Sequence, residues 1–327
     1  MPRRRPVLTA LLLTGACAIA FVLFVDRRAD LREARTEAMY MPEGEIVSIA
    51  GREVHVLVRG SGPDLVLLHG AGANVRDMTS SIVDDLAQRY RVFIVDRPGH
   101  GWTDAAPEYA GVWGDDGESP IEQARLLAKA VETLGADRPI VMGHSFGGAV
   151  AMAWALEAEV SALVIVAGVT LPWPGNIDFT YRMVGSKLGG ALLPTVGSAL
   201  VPDAYVEHVL RSTFAPQTPP PDYLSRAGIP LAIRTGTLRA NNRQVNRLRP
   251  KVVAQAKRYD EITQPIEIVH GTEDQTVFAD VHALPLAAQL MNANVTLLEG
   301  IGHMPHHNAS GDVIAAVDRA AERAGLR

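Results

Sequence analysis

Ser145 stands between Gly143 and Gly147 in IVMGHSFGGAVAMAWA (residues 140–155), where a strand-like apolar run meets a helix-like run of small residues. A serine in that setting can act as a nucleophile. A turn tight enough to push its hydroxyl outward leaves no room for bulky side chains two positions to either side, which accounts for both glycines. The helix that follows directs the positive end of its dipole at negative charge developing on the reacting group. G-x-S-x-G alone recurs by chance, so the reading depends on whether the chain also supplies a base, an acid and an oxyanion site.

A serine hydroxyl needs a base, and the base needs a group to orient it. GIGHMPHHN, near the C-terminus, puts His303 in the loop after the last strand-like run, while His306 and His307 read as exposed loop histidines. IVHGTEDQTV offers Asp274 as the acid after an earlier strand; its neighbour Glu273 is expected to point elsewhere, and Asp280 reads as a surface residue of a helix. The resulting chain order is Ser145, Asp274, His303, one of the orders in which such triads occur. Oxyanion stabilisation requires backbone donors facing the tetrahedral intermediate. The small residues of LLHGAGAN allow close backbone approach, which makes the N–H groups of Ala71 and Phe146 the candidates. His69 and His144 precede turn positions and read as structural.

These residues must be carried by regular elements. EIVSIA and REVHVLVRG alternate apolar and polar residues around Gly51 and predict a hairpin at a sheet edge. DLVLLHG, RVFIVD, residues 139–143, SALVIVAG, QPIEIVHG and ANVTLLEG are short apolar runs of the buried-strand type. Helical spacing covers residues 75–90, 120–134, 146–158 and 312–323. Strands alternating with helices, most strands apolar throughout, indicate an α/β fold with a mainly parallel sheet covered on both faces. Residues 171–260 break this rhythm with scattered prolines and the run Pro219-Pro220-Pro221, and predict an inserted helical cap. The core would then comprise residues 41–170 and 261–327. Residues 104–117 read as a surface loop. The cap aromatics Trp173, Phe179, Tyr181, Tyr205, Phe214 and Tyr223 suit a partly apolar small-molecule substrate, or simply pack the cap.

The 327 residues are 47% hydrophobic and 20% charged, with a formal net charge of −5. That balance, without clustered basic residues beyond the N-terminus, gives no signal for nucleic acid. Cys17 is the single cysteine, so disulfides, thiolate metal sites and a cysteine nucleophile in the globular part are excluded. No H-E-x-x-H or dense carboxylate cluster suggests a metal, and neither glycine-rich turn fits a phosphate loop. After a basic N-terminus (residues 1–6), residues 7–25 carry no charge. As a helix they span about 28 Å, close to the roughly 30 Å of a bilayer core. A cleaved signal peptide normally has a shorter apolar run, of about 7–15 residues. The run is read as an uncleaved single-pass anchor with its N-terminus inside and the remainder outside the cytoplasm. Residues 26–40 then form a charged spacer. Oligomeric state is not legible.

HGAGAN, DRPGHG, GHSFGG, HGTEDQTV and GIGHMPHH occur in that order. From about residue 41 onward, the chain resembles the α/β-hydrolase fold superfamily, in the branch of serine hydrolases that carries a helical cap. The resemblance implies an eight-stranded sheet, a cap after the sixth strand and no cofactor. It departs where many relatives have proline shortly after the acid: Phe278 follows Val277 here. The expected activity is hydrolysis of an ester or related acyl compound through a serine acyl-enzyme. A carbon–carbon bond hydrolase, a cofactor-free perhydrolase and a non-catalytic, membrane-tethered ligand-binding protein are the alternatives.

Overall fold

A computed structural model describes residues 4–326, with side chains from Thr9 onward. The strands are β1 (Glu45–Ile49), β2 (Arg52–Arg59), β3 (Asp64–Leu68), β4 (Arg91–Val95), β5 (Ile140–His144), β6 (Ala162–Val166), β7 (Ile266–Gly271) and β8 (Ala293–Leu298). They form one eight-stranded sheet in the order β1-β2-β4-β3-β5-β6-β7-β8. The pairs β1–β2 and β2–β4 are antiparallel and the rest parallel. This is the α/β architecture expected from the apolar runs.

β1 and β2 turn through Ala50 and Gly51, both at positive φ, which matches a two-residue turn to the twist of the strands. β5, β6 and β7 are buried at every position because helices cover both faces. Alternation along β3 divides the core: Val66 and Leu68 face α5 (Pro120–Thr133) and α6 (Phe146–Glu157). Leu65 and Leu67 face α2 (Val75–Thr79), α3 (Val83–Leu86) and α16 (Ser310–Arg323).

One helix was expected over residues 75–90. The hydroxyls of Ser80 and Ser81 instead bond back to the carbonyl of Asp77, an alternative to helix propagation that serines offer the backbone. The chain forms α2 and α3 as separate pieces. Residues 104–117 include α4 (Pro107–Ala110), and the carbonyls of Tyr109, Gly111 and Val112 are held by the Arg243 guanidinium.

β6 and β7 are neighbours in the sheet, yet the chain between them makes seven helices: α7 (Phe179–Val184), α8 (Lys187–Leu200), α9 (Asp203–Phe214), α10 (Tyr223–Arg226), α11 (Ile229–Ala232), α12 (Thr235–Asn246) and α13 (Leu248–Gln255). A 3-10 turn (Ala256–Glu261) returns it to the sheet, and α14 (Ala279–Gln289) and α15 (Pro305–Asn308) follow β7 and β8.

The apolar N-terminal run and the charged stretch after it form one helix, α1 (Arg4–Met39). The stretch taken as a spacer is docked. Val25 and Ala29 pack on Ala199 and Val196 of α8, and Thr36 and Tyr40 continue the buried stripe. Its charges find partners in the helical insertion: Arg28 donates to the Ala199 carbonyl (2.8 Å), and Arg234 pairs with Glu37 (2.9 Å).

Candidate active site

Ser145 caps α6 with φ 52° and ψ −117°, a left-handed conformation that a non-glycine residue holds only under constraint. The constraint is visible around it. A Cβ at Gly143 would fall 2.1 Å from the Gly147 carbonyl oxygen, and one at Gly147 would fall 2.4 Å from that of Leu68. The Ser145 N–H donates to the Val166 carbonyl (3.1 Å), and its own carbonyl accepts from Gly148 and Val169. The strand–turn–helix thus has one geometry, with the serine at its apex.

His303 lies between β8 and α15. Its Nε2 is 3.0 Å from Ser145 Oγ, and its Nδ1 is 2.8 Å from Asp274 Oδ2. All three residues are buried. The other Asp274 oxygen accepts the backbone N–H groups of Thr276 and Val277, and His270 Nε2 lies 3.2 Å from Oδ2. Burial alone would raise this carboxyl, but hydrogen bonds from His270 and His303 hold it well below the usual carboxylate range. Asp274 therefore stays ionised and fixes the Nδ1–H tautomer of His303, leaving Nε2 able to take the serine proton. Glu273 and Asp280 are exposed, as expected.

Phe146 is the first residue of α6, so its N–H has no acceptor within the helix. The turn after β3 runs beside it: a Cβ at Gly70, the residue before Ala71, would come 3.1 Å from Ser145 Cβ. Arg97 of DRPGHG, fully buried, braces this arrangement. It donates to the carbonyls of His69 and Gly70 and lies over the Phe146 ring, 4.3 Å from its centroid. Burial brings its guanidinium down to about 9. His69 takes the Arg97 N–H at Nε2 (3.0 Å), and burial next to Arg97 pushes it down to about 4. His144 lies 2.9 Å from the His303 carbonyl through Nε2 and is held neutral by burial. Both are structural histidines.

His306 and His307 depart from the sequence reading. His306 is fully buried, and its Nε2 lies 3.1 Å from Asp77 Oδ2; His307 Nε2 lies 2.9 Å from Asp77 Oδ1. The Tyr223 hydroxyl donates to the same Oδ1 (2.7 Å). One buried carboxylate on α2 therefore ties α15, just after His303, to α10. Asp77, His306 and His307 are also a grouping that could hold a metal by composition. The hydrogen bonding argues otherwise. His306 Nδ1 is buried without a partner, so its proton belongs on Nε2, where Asp77 accepts it and no lone pair is left for a cation.

Asn241 of α12 was also missed: its Oδ1 accepts the Gly72 N–H (2.8 Å) and so ties the insertion to the HGAGAN turn. Of the aromatics in the insertion, Phe214 and Tyr223 are buried, whereas Phe179 (68%) and Tyr205 (53%) are largely exposed and line no interior wall.

The protein belongs to the alpha/beta hydrolase fold family, whose model matches residues 63–310. Among characterised relatives it is similar to the pimeloyl-[acyl-carrier protein] methyl ester esterase of Nitrosomonas europaea. The two are 28% identical over 267 residues, covering 77% of this chain and 93% of that enzyme. Among solved structures, an alpha/beta hydrolase fold protein from Burkholderia ambifaria superposes with a TM-score of 0.64 at 23% identity, over 84% of this chain and 99% of the other. A bacterial membrane phospholipase A superposes with a TM-score of 0.59 at 21% identity, over 97% of this chain and 99% of the other.

Proposed function

We propose that the protein is a serine hydrolase that cleaves a carboxylic ester or related acyl compound. The observation that carries this reading is the unbroken line from Ser145 Oγ through His303 to Asp274, with 3.0 Å and 2.8 Å contacts. His303 Nε2 takes the Ser145 proton as Oγ attacks the acyl carbon, and returns it to the leaving alcohol. It then activates water against the acyl-enzyme, while Asp274 stabilises the imidazolium. The N–H groups of Ala71 and Phe146 receive the oxyanion in both steps. The esterase relative supports an ester substrate.

Helices α7 to α13 act as a cap over the site in this reading, supported by the Asn241–Gly72 and Tyr223–Asp77 bonds. The apolar half of α1, of spanning length and largely exposed, serves as an uncleaved anchor that holds the catalytic part outside the cytoplasm. A fluorophosphonate probe on the full-length protein, followed by a chain-length series of activated esters, tests the activity. Labelling at Ser145 that is lost in Ser145→Ala is the expected result. Unaltered ester turnover in that variant overturns the assignment.

A further inference from the structure

Leu188, Leu192, Val196 and Ala199 share one face of α8, at spacings of three and four residues. The C-terminal end of this stripe is covered, because Val196 and Ala199 pack on Val25 and Ala29 of α1. Its other end is open: Leu188 is 65% and Leu192 56% exposed. The run of contacts fixes which way α1 departs. Arg32 donates to the carbonyls of Ser198 and Val201 and pairs with Asp203, so the charged half of α1 passes the C-terminal end of α8. The apolar half then lies back on the side of Leu192 and Leu188. On α7, which packs against α8, Phe179 and Met183, one turn apart, are also exposed, and the exposed basic residues Arg182 and Lys187 precede Met183 and Leu188 directly in the sequence.

An exposed apolar patch of this kind marks an interaction site. Apolar side chains interleaved with basic ones are the pattern of surfaces that lie in the bilayer interface, where the cations meet anionic headgroups. Continuity with α1 selects the partner, since the patch extends the contact through which the membrane-spanning segment is fixed to the globular part. We propose that α7 and α8 form a second membrane contact, with Phe179, Met183, Leu188 and Leu192 seated in the acyl boundary of the bilayer that α1 crosses. The inference rests on the anchor reading of α1. It makes the cap a fixed interfacial element rather than a domain swinging on a tether. Acyl substrates held in the bilayer then arrive at the cap without crossing water.

The test uses the full-length protein with Cys17→Ser and one new cysteine at a time: Phe21→Cys, Leu188→Cys, Leu192→Cys or Met291→Cys. Each carries an environment-sensitive fluorophore, in phosphatidylcholine–phosphatidylglycerol vesicles with and without nitroxide-labelled acyl chains. Met291, fully exposed before β8, is the control. Loss of emission at 188 and 192 comparable with that at 21, and none at 291, is expected. Quenching at 21 but not at 188 or 192 overturns the second contact while leaving the anchor intact. Absence of quenching at 21 removes the anchor and this inference with it. Emission at 188 and 192 that follows protein density rather than nitroxide identifies a second copy as the occupant and also overturns the proposal.

Discussion

Asp77→Asn isolates a contact that no motif announces. The wild-type carboxylate is buried and receives Tyr223 Oη–H and His307 Nε2–H at Oδ1, and His306 Nε2–H at Oδ2. Burial would raise this carboxyl, but the two histidines hold it well below its usual range, so it is a charge matched to its donors. The amide keeps the volume and one acceptor. Its other end becomes an NH₂ facing His306 Nε2–H, donor against donor. Shifting the His306 proton to Nδ1 would let Nε2 accept from the amide but would leave a buried Nδ1–H without a partner, so one donor stays unmatched either way. A hydrogen bond to a charged group is worth about 1.5–3 kcal/mol, and a buried unpaired donor costs about 1–3 kcal/mol, so a loss of about 3 kcal/mol is expected. At an m-value of about 1–3 kcal/mol/M, the urea midpoint of the detergent-solubilised full-length protein falls by at least about 1 M. His306 follows the proposed base by three residues, so turnover falls as well, while Tyr223→Phe, which removes one donor, has the milder effect on both. An Asn variant with an unchanged midpoint and unchanged kcat refutes this account of Asp77.

Asp274→Asn leaves the fold in place but favours the wrong His303 tautomer; by analogy with the equivalent change in a serine protease, kcat falls about 10⁴-fold, measured with an activated ester. His303→Ala abolishes turnover, whereas His307→Ala, which removes one of the donors to Asp77, lowers it only mildly; a dead His307 variant with an active His303 variant reverses the assignment. Acid unfolding should show the buried neutral histidines. His69 and His282 sit at about 4 against an ordinary 6.5, so the unfolded chain takes up protons first as pH falls. Stability is therefore full above about pH 6.5 and is lost progressively down to about pH 4, by of order 3 kcal/mol for each. His55, which burial lowers but Asp96 raises by more, works in the opposite sense. A melting temperature that rises between pH 6.5 and 4 contradicts this.

The centre of the sheet was legible because its strands bury both faces. ALVIV and IEIVHG are buried at every position; ANVTLLEG reads as the same type, but β8 forms the open edge of the sheet and is mostly half-buried or exposed. The elbow was legible for a steric reason, since only glycine fits 2.1 Å and 2.4 Å from the backbone at positions 143 and 147. The break between α2 and α3 was not, because serine side chains competing with the helix look like any two polar residues. Nor was the docking of α1. Arg28 and Arg32 satisfy backbone carbonyls of α8 more than 160 residues away, and a charged stretch whose partners are carbonyls is indistinguishable from a solvated one.

The same limit explains what was missed near Ser145. The adjacent histidines of α15 carry no sign of burial when their carboxylate lies 229 residues (His306) and 230 residues (His307) earlier in the chain. Yet the motifs did contain the geometry in another form. DRPGHG was legible only as a signature; the structure shows Arg97 turned inward, holding the carbonyls of His69 and Gly70 in the turn after β3. Asn241 accepts the Gly72 N–H and ties the same turn to the helical insertion, while Gly70 lies against Ser145. The chain thus fixes Ser145 by steric exclusion and its neighbouring turn by a buried cation. The short helix α15 is held by a buried anion, Asp77, and these three means differ in how much of their cause is local in sequence.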